Sequence, residues 1–143
     1  RKMKRIIVLA FVVAMCFSRV ACGSNGGAEA TVDPVEEAKT KLAEAYDSCC
    51  GGLTDAYARI GSDNMSLVID TRPTDGWASQ YEDTAIATIL AVNLELGLPS
   101  SLTEKMSSTR ALDGTQSQDC GAYTVTWNYH PENGLKVIYE VNL

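Results

Sequence analysis

The sequence predicts an α+β domain in which helices pack on one face of a three- or four-stranded antiparallel sheet. Apolar residues recur at helical spacing in the first half of the mature chain, and they alternate with polar residues in its last third. The predicted order is helix, strand, long helix, short helix and then two or three strands. Helices on one side of an antiparallel sheet satisfy both periods with a single core.

The first predicted helix begins at Asp33 and Pro34. An aspartate accepts hydrogen bonds from the free amides at a helix start, and proline suits the first helical position. Apolar residues then recur at helical spacing over residues 35–49, and Gly51-Gly52 is predicted to end the helix. Residues 53–60 predict one or two further helical turns.

A strand and a longer helix are predicted next. Residues 65–71 are rich in β-branched and aliphatic side chains, and Pro73 ends this strand because proline cannot donate to a ladder. Ser79 and Glu82 are spaced as a capping box for the long helix. Apolar residues surround most of that helix over residues 85–96, so we expect sheet on one side and other helices elsewhere.

The remaining elements are a short helix and a β-hairpin. Ser101 and Glu104 are spaced as a second capping box, which opens the short helix. Residues 123–129 and 135–141 alternate between apolar and polar types around an Asn-Gly turn, which predicts a hairpin. Residues 111–117 are a candidate edge strand, with an Asp-Gly turn as the alternative.

The N-terminal residues have the layout of a secretory signal. Basic residues precede an apolar run at 6–17, and small residues follow it. A spanning helix needs about 20 apolar residues, and Arg19 closes the run with a charge, so a permanent transmembrane helix is disfavoured. The predicted organisation is a signal peptide at 1–21, a flexible tether at 22–31 and one globular domain at 32–143.

The segment "SRVACGS" resembles the lipobox of bacterial lipoproteins. In that family the signal is cut before a cysteine that carries lipid on its sulfur, and Val20, Ala21 and Cys22 fit the pattern. Arg19 departs from it, because the family has an aliphatic residue there. The resemblance implies a lipid on Cys22 and a domain anchored at the extracytoplasmic face of the cell membrane. The alternative is ordinary cleavage near Ala21 and a secreted domain.

The charge distribution limits the classes of partner. Five of the twelve basic residues precede Cys22 and all eighteen acidic residues follow it, so the mature part carries a net charge of −11. This charge repels phosphate backbones, and we expect no nucleic-acid binding. An envelope protein with a basic face is a partner that the charge allows, and solubility alone is the alternative explanation of the charge.

Three cysteines lie within the predicted domain, at Cys49, Cys50 and Cys120. In an exported protein two of them can form a disulfide, and Cys120 with Cys49 or Cys50 is the candidate pair. The alternative is three free, mostly buried thiols. Their spacing lacks a C-x-x-C motif, so we expect no metal site.

No catalytic set is recognisable in the sequence, and no cofactor is expected. His130 is the only histidine, and its place before Pro131 in the hairpin turn predicts exposure to solvent. Neither a G-x-S-x-G elbow nor an S-x-x-K pair is present. Arg110 and Asp113 in "TRALDG" bracket a turn, where they predict an ion pair or, alternatively, a contact to an anionic ligand or a partner.

An aromatic stripe formed by Trp127, Tyr129 and Tyr139 is predicted to pack under the long helix, with an exposed binding surface as the alternative. The segments "MSLVIDT", "LGLPSSL", "TRALDG" and "WNYHP" resemble small exported domains of Gram-positive bacteria whose activity is not known. The sequence therefore favours a membrane-tethered, non-enzymatic interaction domain. A small exported enzyme or ligand carrier with a dispersed site is the alternative.

Overall fold

Three helices lie on one face of a five-stranded antiparallel sheet in the computed structural model, which describes residues 32–51, 56–73 and 78–143. The helices are α1 (Pro34–Cys49), α2 (Glu82–Glu95) and α3 (Ser100–Ser108). The strands are β1 (Ala58–Ile60), β2 (Ser66–Asp70), β3 (Gln116–Cys120), β4 (Tyr123–His130) and β5 (Gly134–Val141). The predicted α+β class is confirmed. The predicted signal peptide, Cys22 and the tether at 22–31 lie outside the described residues.

The sheet has the strand order β1-β2-β5-β4-β3, and all neighbours are antiparallel. The alternation of side chains gives it one buried face and one open face. Tyr139 of β5 lies opposite Leu67 on one side and Val125 on the other, and all three side chains are buried beneath the helices. The predicted hairpin is confirmed as β4–β5.

The expected three or four strands are wrong, because β1 adds a strand that was predicted to be helical. Ala58 pairs with Ile69, and the amide of Asp70 donates to the carbonyl oxygen of Tyr57 at 2.8 Å. Pairing with β2 overrides the local helical spacing. At the other edge, residues 111–113 form a turn of 3-10 helix and the edge strand begins only at Gln116, so each interpretation of this segment is partly right.

The first helix cap is confirmed and the two predicted capping boxes are wrong. The amide of Val35 donates to Asp33 Oδ1 at 3.0 Å. Ser79 lies inside a 3-10 helix, Ala78–Tyr81, which leads directly into α2. Pro99 is the N-cap of α3, so Ser101 already lies within the first turn of that helix. The spacing of two residues in the sequence does not by itself determine which residue is the N-cap.

The β4–β5 turn is fixed by a close approach of backbone to side chain. His130 pairs with Gly134, whose φ is 71°. A Cβ at this position would collide with the hydroxyl of Thr71, which accepts a hydrogen bond from the amide of Leu135 at 2.8 Å. Glycine therefore allows the turn to dock on the residue that follows β2.

Candidate functional site

The outward side of α2 carries an exposed apolar row. Ile86, Leu90 and Leu94 are 41%, 47% and 81% exposed, and they follow one another at one residue per turn. Ala87, between the first two, is also exposed. The expectation that helices or sheet cover α2 on all sides is therefore wrong, because the sheet reaches only the side that carries Ala85, Ile89 and Val92.

A groove runs beside this row, between α2, α3 and the β4–β5 turn, and we call it the α2–α3 groove. Its volume is about 480 Å³. Its apolar lining consists of Ile86, Ile89, Leu90, Met106, Tyr129 and Leu135. An exposed apolar surface of this kind is typical of a site that contacts a protein, a membrane or a ligand.

A buried hydrogen-bond chain holds the walls of the groove in place. The hydroxyl of Tyr139 on β5 donates to Asn93 Oδ1 on α2 at 2.8 Å. The side-chain Nδ2 of Asn93 donates in turn to the hydroxyl of Thr103 on α3 at 3.1 Å. The Tyr139 hydroxyl is a neutral donor at physiological pH because the ordinary pKa of a tyrosine is 10.0, and burial raises that pKa further. Hydrogen bonds thus connect β5, α2 and α3 beneath the groove.

Acidic residues lie at both ends of α2. Asp83 is exposed in its first turn and Glu95 is exposed at its last residue. Glu82 lines the groove, but its carboxylate is 2.8 Å from Arg72 Nε. The α2 sequence contains no Lys or Arg. The exposed apolar row is therefore bracketed by negative charge.

A second cavity, of about 390 Å³, lies across the sheet at the same end, on its open face. We call it the cationic cavity. Its polar lining includes Arg59, Asp70, Arg72, Asn128, His130 and Lys136. Three of the seven basic residues that follow Cys22 therefore meet at one place in an acidic chain.

Strand pairing brings these cations together from distant parts of the chain. In the sheet, Lys136 lies between Asp70 on β2 and Asn128 on β4. Arg59 lies on the adjacent edge strand, and Arg72 follows β2 directly. Sequence reasoning missed the cavity, because Arg59 was assigned to a helix and the neighbours of Lys136 depend on the register. The polar positions of each strand were the only available signal.

Arg110 and Asp113, the predicted contact residues, form a local cap. The amide of Arg110 donates to Asp113 Oδ2 at 2.7 Å, whereas Arg110 Nε is 3.9 Å from the same oxygen. The Arg110 side chain is 84% exposed. Asp113 lines a polar cavity of about 390 Å³ beside Trp127, and Arg110 does not line it. The structure thus shows a turn-stabilising contact, and the alternative contact to a ligand or a partner stays a prediction.

The thiols of Cys49, Cys50 and Cys120 are free, which is the second of the two arrangements that the sequence allows. Cys120 lines a shallow cavity with Glu37 and Lys41, which lie in the first half of α1. Cys49 is the last residue of α1, and helix geometry places it about 12 Å beyond Lys41 along the axis. A disulfide needs Cα atoms within about 7 Å, and α1 holds these residues too far apart.

The remaining predicted features divide between core and surface. His130 is exposed as predicted, and its Nδ1 accepts a hydrogen bond from the amide of Glu132 at 3.2 Å. In the aromatic stripe, Trp127 and Tyr139 are buried, whereas Tyr129 is partly exposed and lines the α2–α3 groove. The stripe is therefore core for two of its members and surface for the third.

No protein-family model, curated protein or solved structure matches the chain. Within the part of the chain that the structure describes, no helix has the length and apolar character needed to cross a membrane. Across residues 32–51, 56–73 and 78–143, no three His, Cys, Asp or Glu side chains gather as metal ligands would. The geometry of the two surfaces therefore carries the functional argument.

Proposed function

We propose that this protein is a lipid-anchored extracytoplasmic domain that binds a basic amphipathic helix of an envelope protein along α2. The observation that supports this function is the exposed row of Ile86, Leu90 and Leu94 beside a preformed groove. Every buried side-chain nitrogen and oxygen of the described residues has a hydrogen-bond partner. An open apolar face on a domain whose described buried polar atoms are all paired supports a binding role.

The spacing of the row favours a helical partner. One apolar side chain per turn is the pattern that an amphipathic helix matches when it lies in a groove. The small side chain of Ala87, between Ile86 and Leu90, allows a second helix axis to approach closely. With 14 residues, α2 is about 21 Å long, enough for three to four turns of contact.

Charge complementarity selects a basic partner. Asp83 and Glu95 lie at the two ends of the exposed row, so the partner helix is expected to carry Lys or Arg on both sides of its apolar residues. The same charges disfavour a second copy of this chain. An antiparallel pair centred on Leu90 brings Asp83 of one copy close to Glu95 of the other, and like charges at an interface repel.

The anchoring part of the proposal depends on the lipobox-like segment around Cys22. An acyl chain contributes about 0.8 kcal/mol for each buried methylene, so a multiply acylated cysteine holds a domain at a membrane without a spanning helix. Binding a helix from another envelope protein suits a domain that is held at this surface.

The helix-binding proposal is tested with a synthetic peptide and the full chain in phosphatidylcholine nanodiscs. The peptide has about 14 residues, with one leucine per turn and lysines at both ends. It therefore has the length of α2 and complements its negative charge. Fluorescence anisotropy is expected to detect binding that Leu90→Asp weakens by about tenfold or more. Leu112→Asp is the matched control, because Leu112 is 99% exposed and lies outside the groove.

Two results contradict the proposal. One is equal affinity of the wild-type chain and Leu90→Asp for the peptide. The other is sedimentation of the wild-type chain as a dimer that Leu90→Asp dissociates, since the face is then occupied by a second copy. A peptide with glutamates in place of the lysines is expected to bind at least several-fold more weakly.

The anchor is tested separately by expressing the full precursor and measuring acyl incorporation and membrane partition. Cys22→Ser is expected to abolish the incorporated acyl chains and to release the domain from the membrane. Arg19→Leu restores the family pattern and is expected to leave lipidation unchanged or to increase it. Equal behaviour of the wild type and Cys22→Ser rules out the anchor and leaves the helix-binding face to be judged by the peptide.

A further inference from the structure

The cationic cavity combines a positive lining with the shape of a small-molecule site. Arg59, Arg72 and Lys136 converge on about 390 Å³ of space, and Asp70 is the one acidic residue of its described lining. The chain after Cys22 carries a net charge of −11, so this local excess of positive charge opposes the average of the molecule. A concave site of one sign focuses the field and concentrates a ligand of the opposite sign.

Arg72 is fixed in the wall of the cavity. Its Nε lies 2.8 Å from a carboxylate oxygen of Glu82, and a terminal nitrogen donates to the carbonyl oxygen of Pro131 at 3.2 Å. Its backbone amide donates to Asp70 Oδ1 at 3.1 Å. These contacts tie the residue after β2 to α2 and to the β4–β5 turn. The wall is therefore preorganised before any ligand arrives.

Arg59 and Lys136 retain their hydrogen-bonding capacity. Both are exposed, and within the described residues neither forms an ion pair within 4.0 Å. A guanidinium offers five N–H donors and an ammonium offers three. His130 adds another donor, because Nδ1 accepts from the amide of Glu132 and the ring proton therefore lies on Nε2.

From this arrangement we propose that the cationic cavity binds the phosphate group of a phosphate ester. Donors on β1, β4 and β5 line the cavity, and the tetrahedral oxygens of a phosphate can reach donors that lie on different strands. A carboxylate presents only two oxygens in one plane and engages fewer of them. Arginine matches phosphate oxygens in pairs, which adds geometric selectivity to the charge attraction. The ester is either a free phosphorylated molecule or a lipid headgroup.

Protection of Lys136 from acetylation measures occupancy of the cavity directly. The full chain in phosphatidylcholine nanodiscs is treated with an acetylating reagent at increasing concentrations of inorganic phosphate or glycerol phosphate, and each lysine is quantified by mass spectrometry. Lys136 is expected to become protected in a saturable way. Lys41 is the internal control, because it is exposed and lines a different cavity.

Variants of equal charge change locate the site. Arg59→Gln is expected to raise the phosphate concentration for half-protection about tenfold, whereas Arg110→Gln, on an exposed turn, leaves it unchanged. Asp70→Asn removes the negative charge of the lining and is expected to lower that concentration several-fold. Asp119→Asn is its control, since Asp119 lies on the open face about 13 Å farther along the strands. Thermal unfolding verifies that each variant is folded.

The two sources of phosphate give different results in the same assay. Protection by the free probes indicates a soluble ester, and protection only when phosphatidic acid is added to the nanodiscs indicates a headgroup; either result supports the site when Arg59→Gln weakens it. The proposal is overturned if Lys136 is unprotected in both arms, if acetate protects it at the same concentration as phosphate, or if Arg110→Gln acts like Arg59→Gln. None of these outcomes depends on the α2–α3 groove.

Discussion

α1 and α2 are the two longest helices of the described chain, and they use their apolar residues differently. α1 buries one stripe, Ala38, Leu42 and Ala45, and none of its large apolar side chains is exposed. α2 buries Ile89 and Val92 on one side but exposes three large apolar residues on the other.

The contrast teaches that the apolar content of a helix and its burial are separate properties. The apolar residues of α1 lie mainly on the side that packs on the sheet, and the rest of its surface is polar. α2 is apolar around most of its circumference, but the two-layer fold gives it only one buried side. The surplus on α2 is not needed for the core, and surplus of this kind is what an interaction surface requires.

The largest effect tests whether burial, rather than residue type, separates the two helices. Leu42→Ala in α1 is expected to lower the free energy of unfolding by about 2–5 kcal/mol, because Leu42 is fully buried and a cavity remains. The same substitution at Leu94 in α2 is expected to change it by less than about 0.5 kcal/mol. Urea unfolding followed by circular dichroism measures both. Similar losses at the two positions remove the contrast.

A smaller effect is expected on the buried side of α2, where polar contacts reinforce packing. Tyr139→Phe removes the donor to Asn93 Oδ1 and leaves that buried oxygen unsatisfied, which is expected to cost about 1–3 kcal/mol. Tyr129→Phe is the control, since Tyr129 is partly exposed and lies on the groove side. If both variants unfold at the urea midpoint of the wild type, the hydrogen bonds through Asn93 do not stabilise the position of α2.

The helix starts provide a third comparison. Asp33→Ala removes the side-chain cap of α1 and is expected to cost about 1 kcal/mol. Ser101→Ala, at the capping position that the sequence predicts for α3, is expected to have almost no effect, because Ser101 lies within the helix. Thermal unfolding of both variants is sufficient. If Ser101→Ala lowers the stability more than Asp33→Ala does, the predicted capping box of α3 is supported after all.

The last comparison concerns Cys50, the C-cap residue that follows α1. Burial raises the pKa of the Cys50 thiol to about 11 from its ordinary value of 9.0. Because the pKa is higher in the folded state, the buried neutral thiol contributes its full stabilisation below about pH 9. This stabilisation is lost as the pH rises through about 11. The difference in unfolding free energy between wild type and Cys50→Ala is therefore expected to shrink over that range. A constant difference places the thiol in contact with water.

Local signals were sufficient for part of the fold. The α1 start depends on Asp33 and Pro34 alone, and the β4–β5 hairpin depends on alternation around one turn, so both were predictable. The α+β class follows from the two hydrophobic periods. Each of these features is encoded by residues a few positions apart.

The tertiary structure decided the rest. Residues 58–60 form a strand because β2 has an edge with which they can pair. Three basic residues that are far apart in the sequence lie together because β1, β2 and β5 are neighbours in the sheet. The sequence shows that α2 is apolar around most of its circumference, but it does not show which side of the helix another element covers. Burial, register and the convergence of side chains depend on contacts between distant segments, and such contacts exist only once the chain has folded.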